Sequence, residues 1–328
     1  MDSIKKIYKK IKTKYKYLKK TINYIHDISG KLRNIILLDI IWCCVRYGTT
    51  SNEYRIFEYY KIKNDKRKTY LNTFKHNYYK NYLYDKKILN VLNDKELFRL
   101  RFKDYFKREV IDVNDLSFKE YEELCIKNKI LICRNGKQSY LKSFKIYNLN
   151  NYRSPAYMID EIKKDKKILV EKSIKMHKLL NDINNELVII NVTTLFNNDS
   201  VDVVSSSIKY KDYNEIISGF IDIKSGKVKG HLKDENGLNY KTEIMEFEIP
   251  KYKEVIKLSK KLAKELEEIK EVEWSFTVNN RGTIYLLDAN IYDDFIFEQI
   301  PEFLINKVGL LPIYKKVIKK IRGFEVVK

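Results

Sequence analysis

Between residues 130 and 290 one local pattern recurs: two apolar, β-branched runs joined by a short turn-forming stretch. Residues 130–134 and 140–146 flank Asn135-Gly136, and 187–195 and 201–210 flank Asn197-Asn198-Asp199-Ser200. Residues 216–223 and 227–232 flank Ser225-Gly226, and 272–278 and 283–287 flank Asn279-Asn280-Arg281-Gly282. Asn and Gly accept the left-handed backbone of tight turns, so each unit reads as a hairpin. Residues 168–171 add a short apolar strand. Helical periodicity at 95–105, 117–127 and 252–269 flanks these strands. Hairpins with flanking helices predict an α+β fold built on antiparallel-rich sheets, not a doubly wound parallel sheet.

The chain before residue 90 is different. Ile4, Ile7, Ile11, Tyr15, Leu18, Ile22 and Ile25 alternate gaps of three and four, which places them on one stripe of a helix over 3–27. Nine lysines between Lys5 and Lys20 cover the rest of that helix. Two readings stand: a helix packed on the domain with a solvated lysine face, or one lying on an anionic membrane surface. A second helix is expected over 31–46, closed by Gly48-Thr49-Thr50-Ser51. Residues 52–90 interleave Tyr54, Phe57, Tyr59, Tyr60, Tyr70, Phe74, Tyr78, Tyr79, Tyr82 and Tyr84 with lysine. Such rings can stack bases or sugars, but they also make helix core with surface hydroxyls, and that reading is adopted here. The expected division is a basic, Tyr-rich helical extension over 1–90 and a larger domain over 91–328.

Charge narrows the partners. Lys and Arg total 65 against 44 Asp and Glu, a net charge of +21. That surplus attracts anions such as nucleic acid, lipid headgroups, phosphorylated metabolites or anionic glycans without choosing among them. Part of it follows from a Lys-, Asn-, Ile- and Tyr-rich composition. No nucleic-acid signature accompanies the charge, so no nucleic-acid partner is expected. The longest greasy run, 35–45, is short and contains Asp39; a membrane span needs about 20 apolar residues. Residues 1–20 lack the apolar stretch of a secretory signal. Cys43, Cys44, Cys125 and Cys133 form no C-x-x-C pair. They read as reduced core residues, which suggests a cytoplasmic protein. Phosphate-binding G-x-x-x-x-G-K-[ST] and G-x-G-x-x-G loops and the G-x-S-x-G elbow are absent.

Six short segments, in order, carry a resemblance. They are Leu92-Asn93-Asp94-Lys95 with Phe98, Ile168-Leu169-Val170-Glu171 with Ile174 and His177, and 188–195 ending in Val192-Thr193-Thr194-Leu195. The others are Ser218-Gly219-Phe220-Ile221-Asp222 with Ser225-Gly226, then Glu273-Trp274, then Leu286-Leu287-Asp288-Ala289-Asn290. In this order and spacing the chain resembles the sugar-transfer-associated ATP-grasp family, ligase-like proteins linked to bacterial surface-polysaccharide synthesis. The likeness runs over residues 45–300 and includes Arg46-Tyr47-Gly48. It implies an ATP-grasp-type fold with subdomains over about 91–170 and 171–300.

The resemblance also implies chemistry. ATP would phosphorylate a carboxylate, and an amine or similar nucleophile on a small molecule or glycan precursor would displace phosphate. By position, Lys95, Arg134 and Lys137 would meet phosphates, and Glu171 would take the adenine-hinge place. Asp288 and Asn290 would hold Mg²⁺, since residues two apart on a strand share a face. Lys209 would stand for a family arginine, making it and Arg134 the catalytic candidates. Departures accompany the match. Asp288 replaces a glutamate, Ser275 an expected aspartate and Asn191 an expected arginine, and the phosphate-covering loop shrinks to residues 135–139. An active ATP- and Mg²⁺-dependent ligase and a catalytically impaired scaffold of the same fold therefore both stay open, in the cytoplasm or peripheral to the membrane's inner face.

Overall fold

The computed structural model describes residues 2–326 except 86, 87, 90, 91, 93, 136–139, 168, 214, 245 and 292–294. The chain forms two compact units, one of Met1–Tyr82 with Asp293–Lys328 and one of Leu83–Tyr292. The boundary thus precedes residue 90, and the C-terminal segment, read from sequence as part of the larger domain, belongs with the N-terminal helices.

The first unit is helical: α1 (Asp2–Ser29), α2 (Arg33–Tyr47), α3 (Ser51–Ile56), α4 (Asn64–Arg67), α5 (Thr73–Leu83) and a last helix, Leu311–Val326. Gly48, at φ 75°, closes α2, where a side chain would be strained. Thr50 and Glu53 then open α3 with a reciprocal capping box. Leu18, Ile22 and Ile25 of the α1 stripe face the core formed by Ile36, Ile40, Phe57, Tyr59 and Tyr70. The rings over 54–70 are therefore core, as expected, although Phe74 and Tyr78 are exposed. Asp39, the acid inside the greasy run, receives both guanidinium nitrogens of buried Arg67 at 2.8 Å. The returning C-terminal segment is tied in by Gln299, whose amide bonds the Leu71 N–H and C=O, each at 2.8 Å.

The second unit is α+β and holds two antiparallel sheets. The smaller has β1 (Val110–Asp112), β2 (Ile130–Arg134), β3 (Lys145–Asn148) and β4 (Leu169–Lys172) in the order β1-β4-β2-β3. The larger has β5 (Val188–Phe196), β6 (Val201–Asp212), β7 (Glu215–Ile221), β8 (Lys227–Lys233), β9 (Asn239–Ile244), β10 (Phe247–Glu248), β11 (Glu271–Val278) and β12 (Ile284–Asn290). Its order is β10-β8-β7-β6-β5-β11-β12, with β9 on β8. Helices α6 (Lys95–Arg101), α7 (Lys103–Phe106), α8 (Phe118–Asn128), α9 (Tyr140–Ser143), α10 (Pro155–Lys164), α11 (Lys178–Asn181) and α12 (Tyr252–Glu265) flank the sheets.

Three hairpins match expectation. The first differs: β2 and β3 do pair, from Ile130↔Asn148 to Cys133↔Lys145, but residues 140–143 are helical rather than strand. That turn buries Tyr140 and Phe144 in the core shared with Trp274, Phe98 and Phe102. Across the smaller sheet, Tyr121 and Cys125 of α8 and Met158, Ile159 and Ile162 of α10 cover Leu131, Cys133 and Val170. Cys43, Cys125 and Cys133 are buried thiols and Cys44 is exposed. Among the described residues no helix is long and apolar enough to cross a membrane.

Candidate active site

Alternation along β12 puts Asp288 and Asn290 on one sheet face. Antiparallel register then extends a row from each, because residues opposite one another share a face. Ser275 lies opposite Asp288 and Glu273 opposite Asn290. Asn191 lies opposite Ser275 and Thr193 opposite Glu273. Ser207 and Ser205 continue the two rows on β6. Lys209, two residues beyond Ser207, joins the same face. None of these eight residues beyond Asn290 is more than 7% exposed. Most interior sheet faces are apolar, so a buried polar lattice has to satisfy itself internally.

Lys95 closes one end of it. Asp94 caps α6 by accepting the Glu96 and Leu97 N–H groups, which sets Lys95 at the helix start. Its Nζ lies 2.9 Å from Asp288 Oδ1 and donates to Ala289 O and Asn290 Oδ1, each at 2.9 Å. Three oxygens therefore converge on one cation. The second Asp288 oxygen accepts the Tyr140 N–H at 2.9 Å.

Tyr140 links this cluster to the smaller sheet. Its hydroxyl donates to Glu171 Oε2 at 2.8 Å. Glu171 on β4 also takes Arg134 Nε at 2.8 Å and pairs with Arg108 Nε at 2.8 Å. Burial alone would lift the Glu171 carboxyl, but the charges of Arg108 and Arg134, with the Arg134 and Tyr140 hydrogen bonds, hold it below the ordinary carboxylate range. Burial, together with the Glu171 charge, pushes the Tyr140 hydroxyl well up, so it stays a donor. Arg134 Nη1 and Arg108 Nη2 are buried without a hydrogen-bond partner. Unspent guanidinium N–H groups suit an anionic oxygen.

A cavity of about 600 Å³ opens beside Arg108 and Glu171, lined also by Lys172, Lys175, Asn279 and Arg281, whereas Arg134, Lys95, Asp288 and Asn290 do not line it. That volume falls in the ordinary range for small-molecule sites. The segment after β4 along its wall is laced to the β11–β12 turn: the His177 N–H donates to Val278 O at 2.8 Å and the Asn280 N–H to Lys175 O at 2.9 Å.

Lys95, Arg134, Glu171, Asp288 and Asn290 thus meet in one connected cluster. Lys209 stands apart from Lys95, donating to Glu273 Oε2 at 3.1 Å, although Glu273 is the neighbour of Asn290. Lys137 lies outside the described residues. Arg108, Tyr140 and Glu273 were not singled out as site residues from sequence. Glu273 carries a legible signal, since two residues before Ser275 it must share that face. Arg108 and Tyr140 carry none, because only folding brings them to Glu171.

No family model matches the sequence, and no curated protein matches it. Solved structures do. One is D-alanyl-alanine synthetase A from Vibrio cholerae, at 10% identity and TM-score 0.44, covering 73% of this chain and 66% of that one. Another is the ATP-grasp ligase PsnB in complex with a minimal precursor, at 11% identity and TM-score 0.45, with coverage of 73% and 64%. A third is D-alanine–D-alanine ligase from Bacillus anthracis, at 18% identity and TM-score 0.37, with coverage of 71% and 67%. The chain therefore spans about two thirds of these proteins' own length.

Proposed function

We propose that this chain is an ATP-dependent carboxylate-activating ligase of the ATP-grasp type, forming an amide or related bond through an acyl phosphate. The observation that carries this reading is the junction of Lys95, Asp288 and Asn290 with Arg134, Arg108 and Glu171 through Tyr140, beside a basic cavity of suitable size. The substrate carboxylate attacks the γ-phosphorus of ATP, ADP leaves, and a nucleophile then expels phosphate from the acyl phosphate. Such chemistry asks a protein mainly to position groups and neutralise charge.

Each side chain has a task. The unspent Arg134 and Arg108 donors would hold phosphate oxygens, while Glu171 fixes both guanidinium groups. Tyr140 locks Glu171 and Asp288 to one another. Lys95 would exchange its Asp288 contact for a phosphate oxygen on ligand binding. The Asp288 and Asn290 oxygens, now on Lys95, are the hard-oxygen ligands that would hold Mg²⁺ once that lysine moves to phosphate. Bound there, Mg²⁺ would neutralise charge on the phosphates. Lys209, held by Glu273, is the second catalytic candidate beside Arg134.

The acceptor as a glycan precursor, and a place in surface-polysaccharide assembly, rest on the family resemblance. Peripheral contact with an anionic membrane through residues 3–27 rests on their lysines. One observation favours a second reading, a catalytically impaired scaffold: Lys95, Arg134 and Lys209 each have an internal carboxylate partner.

Thermal melting with ATP and Mg²⁺ decides between the two. For a ligase, nucleotide at a hundredfold excess over Kd adds about 2.7 kcal/mol of stability by mass action, and Tm rises. Lys95→Ala should remove that rise, and ADP should form only when a carboxylate substrate is present. A chain whose melting ignores millimolar ATP is not this enzyme.

A further inference from the structure

The α2 helix is apolar on two opposite sides. Ile36, Ile40 and Cys43 point into the core of the first unit. Ile35, Leu38, Ile41, Trp42 and Val45 recur at three- and four-residue steps on the other side, and all are exposed in the whole chain, Leu38 to 65% and Val45 to 83%. A helix that is apolar all round is normally buried all round, and one unbroken apolar stripe on a surface marks an interaction site. The stripe runs for about 15 Å at 1.5 Å per residue. By contrast, the apolar stripe of α1 is already spent over Leu18, Ile22 and Ile25.

Charge selects the occupant. Residues 1–46 hold 12 Lys and Arg against three Asp, and one of those, Asp39, is neutralised by Arg67. The first unit as a whole carries 27 Lys and Arg against 11 Asp and Glu, while the second carries 38 against 33. Exposed Arg46 stands four residues after Trp42, at the edge of the stripe. A second copy would bring the same cationic surface against itself. An anionic lipid surface instead supplies both complements, acyl chains for the stripe and phosphates for the lysines. Trp42, edge-to-face with Tyr47 at 5.3 Å, is the ring type that settles at the headgroup level.

We infer that α2 lies in the plane of an anionic membrane leaflet, inserting Ile35, Leu38, Ile41, Trp42 and Val45, drawn there by the positive charge of the first unit. The test is co-sedimentation of the full chain with phosphatidylcholine vesicles, with and without phosphatidylserine. The chain should sediment with the mixed vesicles only, and salt should weaken the binding. Trp42 emission should shift to the blue on binding, and Trp42→Phe should remove the shift, since Trp274 is buried throughout. Leu38→Asp and Val45→Asp should each lower partition by roughly tenfold with unchanged melting, because both sites are exposed. Failure to sediment with phosphatidylserine vesicles overturns the inference. So does sedimentation that neither aspartate reduces, which would leave lysine charge alone as the cause. A dimer in ultracentrifugation that Leu38→Asp dissociates assigns the face to a second copy, and overturns it too.

Discussion

Lys95 sits on the Asp288 and Asn290 oxygens proposed above for a divalent cation, so its ammonium and that cation would compete for one place. The competition has a measurable consequence. In Lys95→Ala the Asp288 carboxylate stays buried and loses its counter-charge, and breaking a buried pair from one side costs about 3–5 kcal/mol. The variant should therefore melt well below the parent. Millimolar Mg²⁺ without nucleotide should recover part of that loss in the variant and leave the parent nearly unmoved. Calorimetry with and without Mg²⁺ reads both. Equal responses in the two proteins would mean that Asp288 and Asn290 do not form a cation site. Lys95 and the Asp288–Asn290 couple were proposed from the family resemblance, and strand alternation adds only that Asp288 and Asn290 share a face. The competition between them was not legible, because nothing local says that α6 aims its first lysine at β12.

At the level of paired strands, the two departures that most weakened the ligase reading turn out to be one. Asn191 and Ser275 are opposite residues on β5 and β11, and the Ser275 hydroxyl donates to Asn191 Oδ1 at 2.9 Å. Where the resemblance implies an arginine facing an aspartate, this chain has a neutral hydrogen-bonded pair. Replacing both partners of a buried ion pair together leaves no orphan charge and can be nearly neutral. Ser275→Asp alone should destabilise by about 3 kcal/mol or more, since it buries a carboxylate beside a neutral amide. Asn191→Arg added to it should restore most of that loss. A double-mutant cycle in urea gives the coupling, and additive single effects would show that the two sites are independent. The hairpins that create this register were legible, since turn residues and β-branched runs are local signals. The smaller sheet was only half legible. Residues 140–143 have strand-like composition, yet they turn helical because Tyr140 reaches Glu171 from there and Phe144 enters the core. Tertiary burial outweighs propensity at such a short segment.

Across the whole molecule, the net charge of +21 is concentrated in the first unit, and each unit holds an acid under cationic and hydroxyl partners. Asp39 lies under Arg67 and Tyr54 in one, and Glu171 under Arg108, Arg134 and Tyr140 in the other. Burial alone would raise both carboxyls, but these partners prevail and hold both below their ordinary values of 3.8 and 4.5. A carboxyl depressed in the folded state binds its proton more readily once unfolded. Its contribution is therefore present above the unfolded value and lost as pH falls through the folded one. Stability should be flat through neutral pH and should drop below about pH 4.5, where a strongly cationic chain also begins to repel itself. Glu171→Gln separates the two effects. It strands two buried guanidinium groups, so stability at pH 7 should fall by about 3–5 kcal/mol. The acid slope should become shallower, because one titrating group is gone while the net charge has only risen. Urea midpoints taken from pH 7 down to pH 3 would show it. An unchanged slope would mean that general charge repulsion, and not the Glu171 cluster, sets the acid limit of this fold.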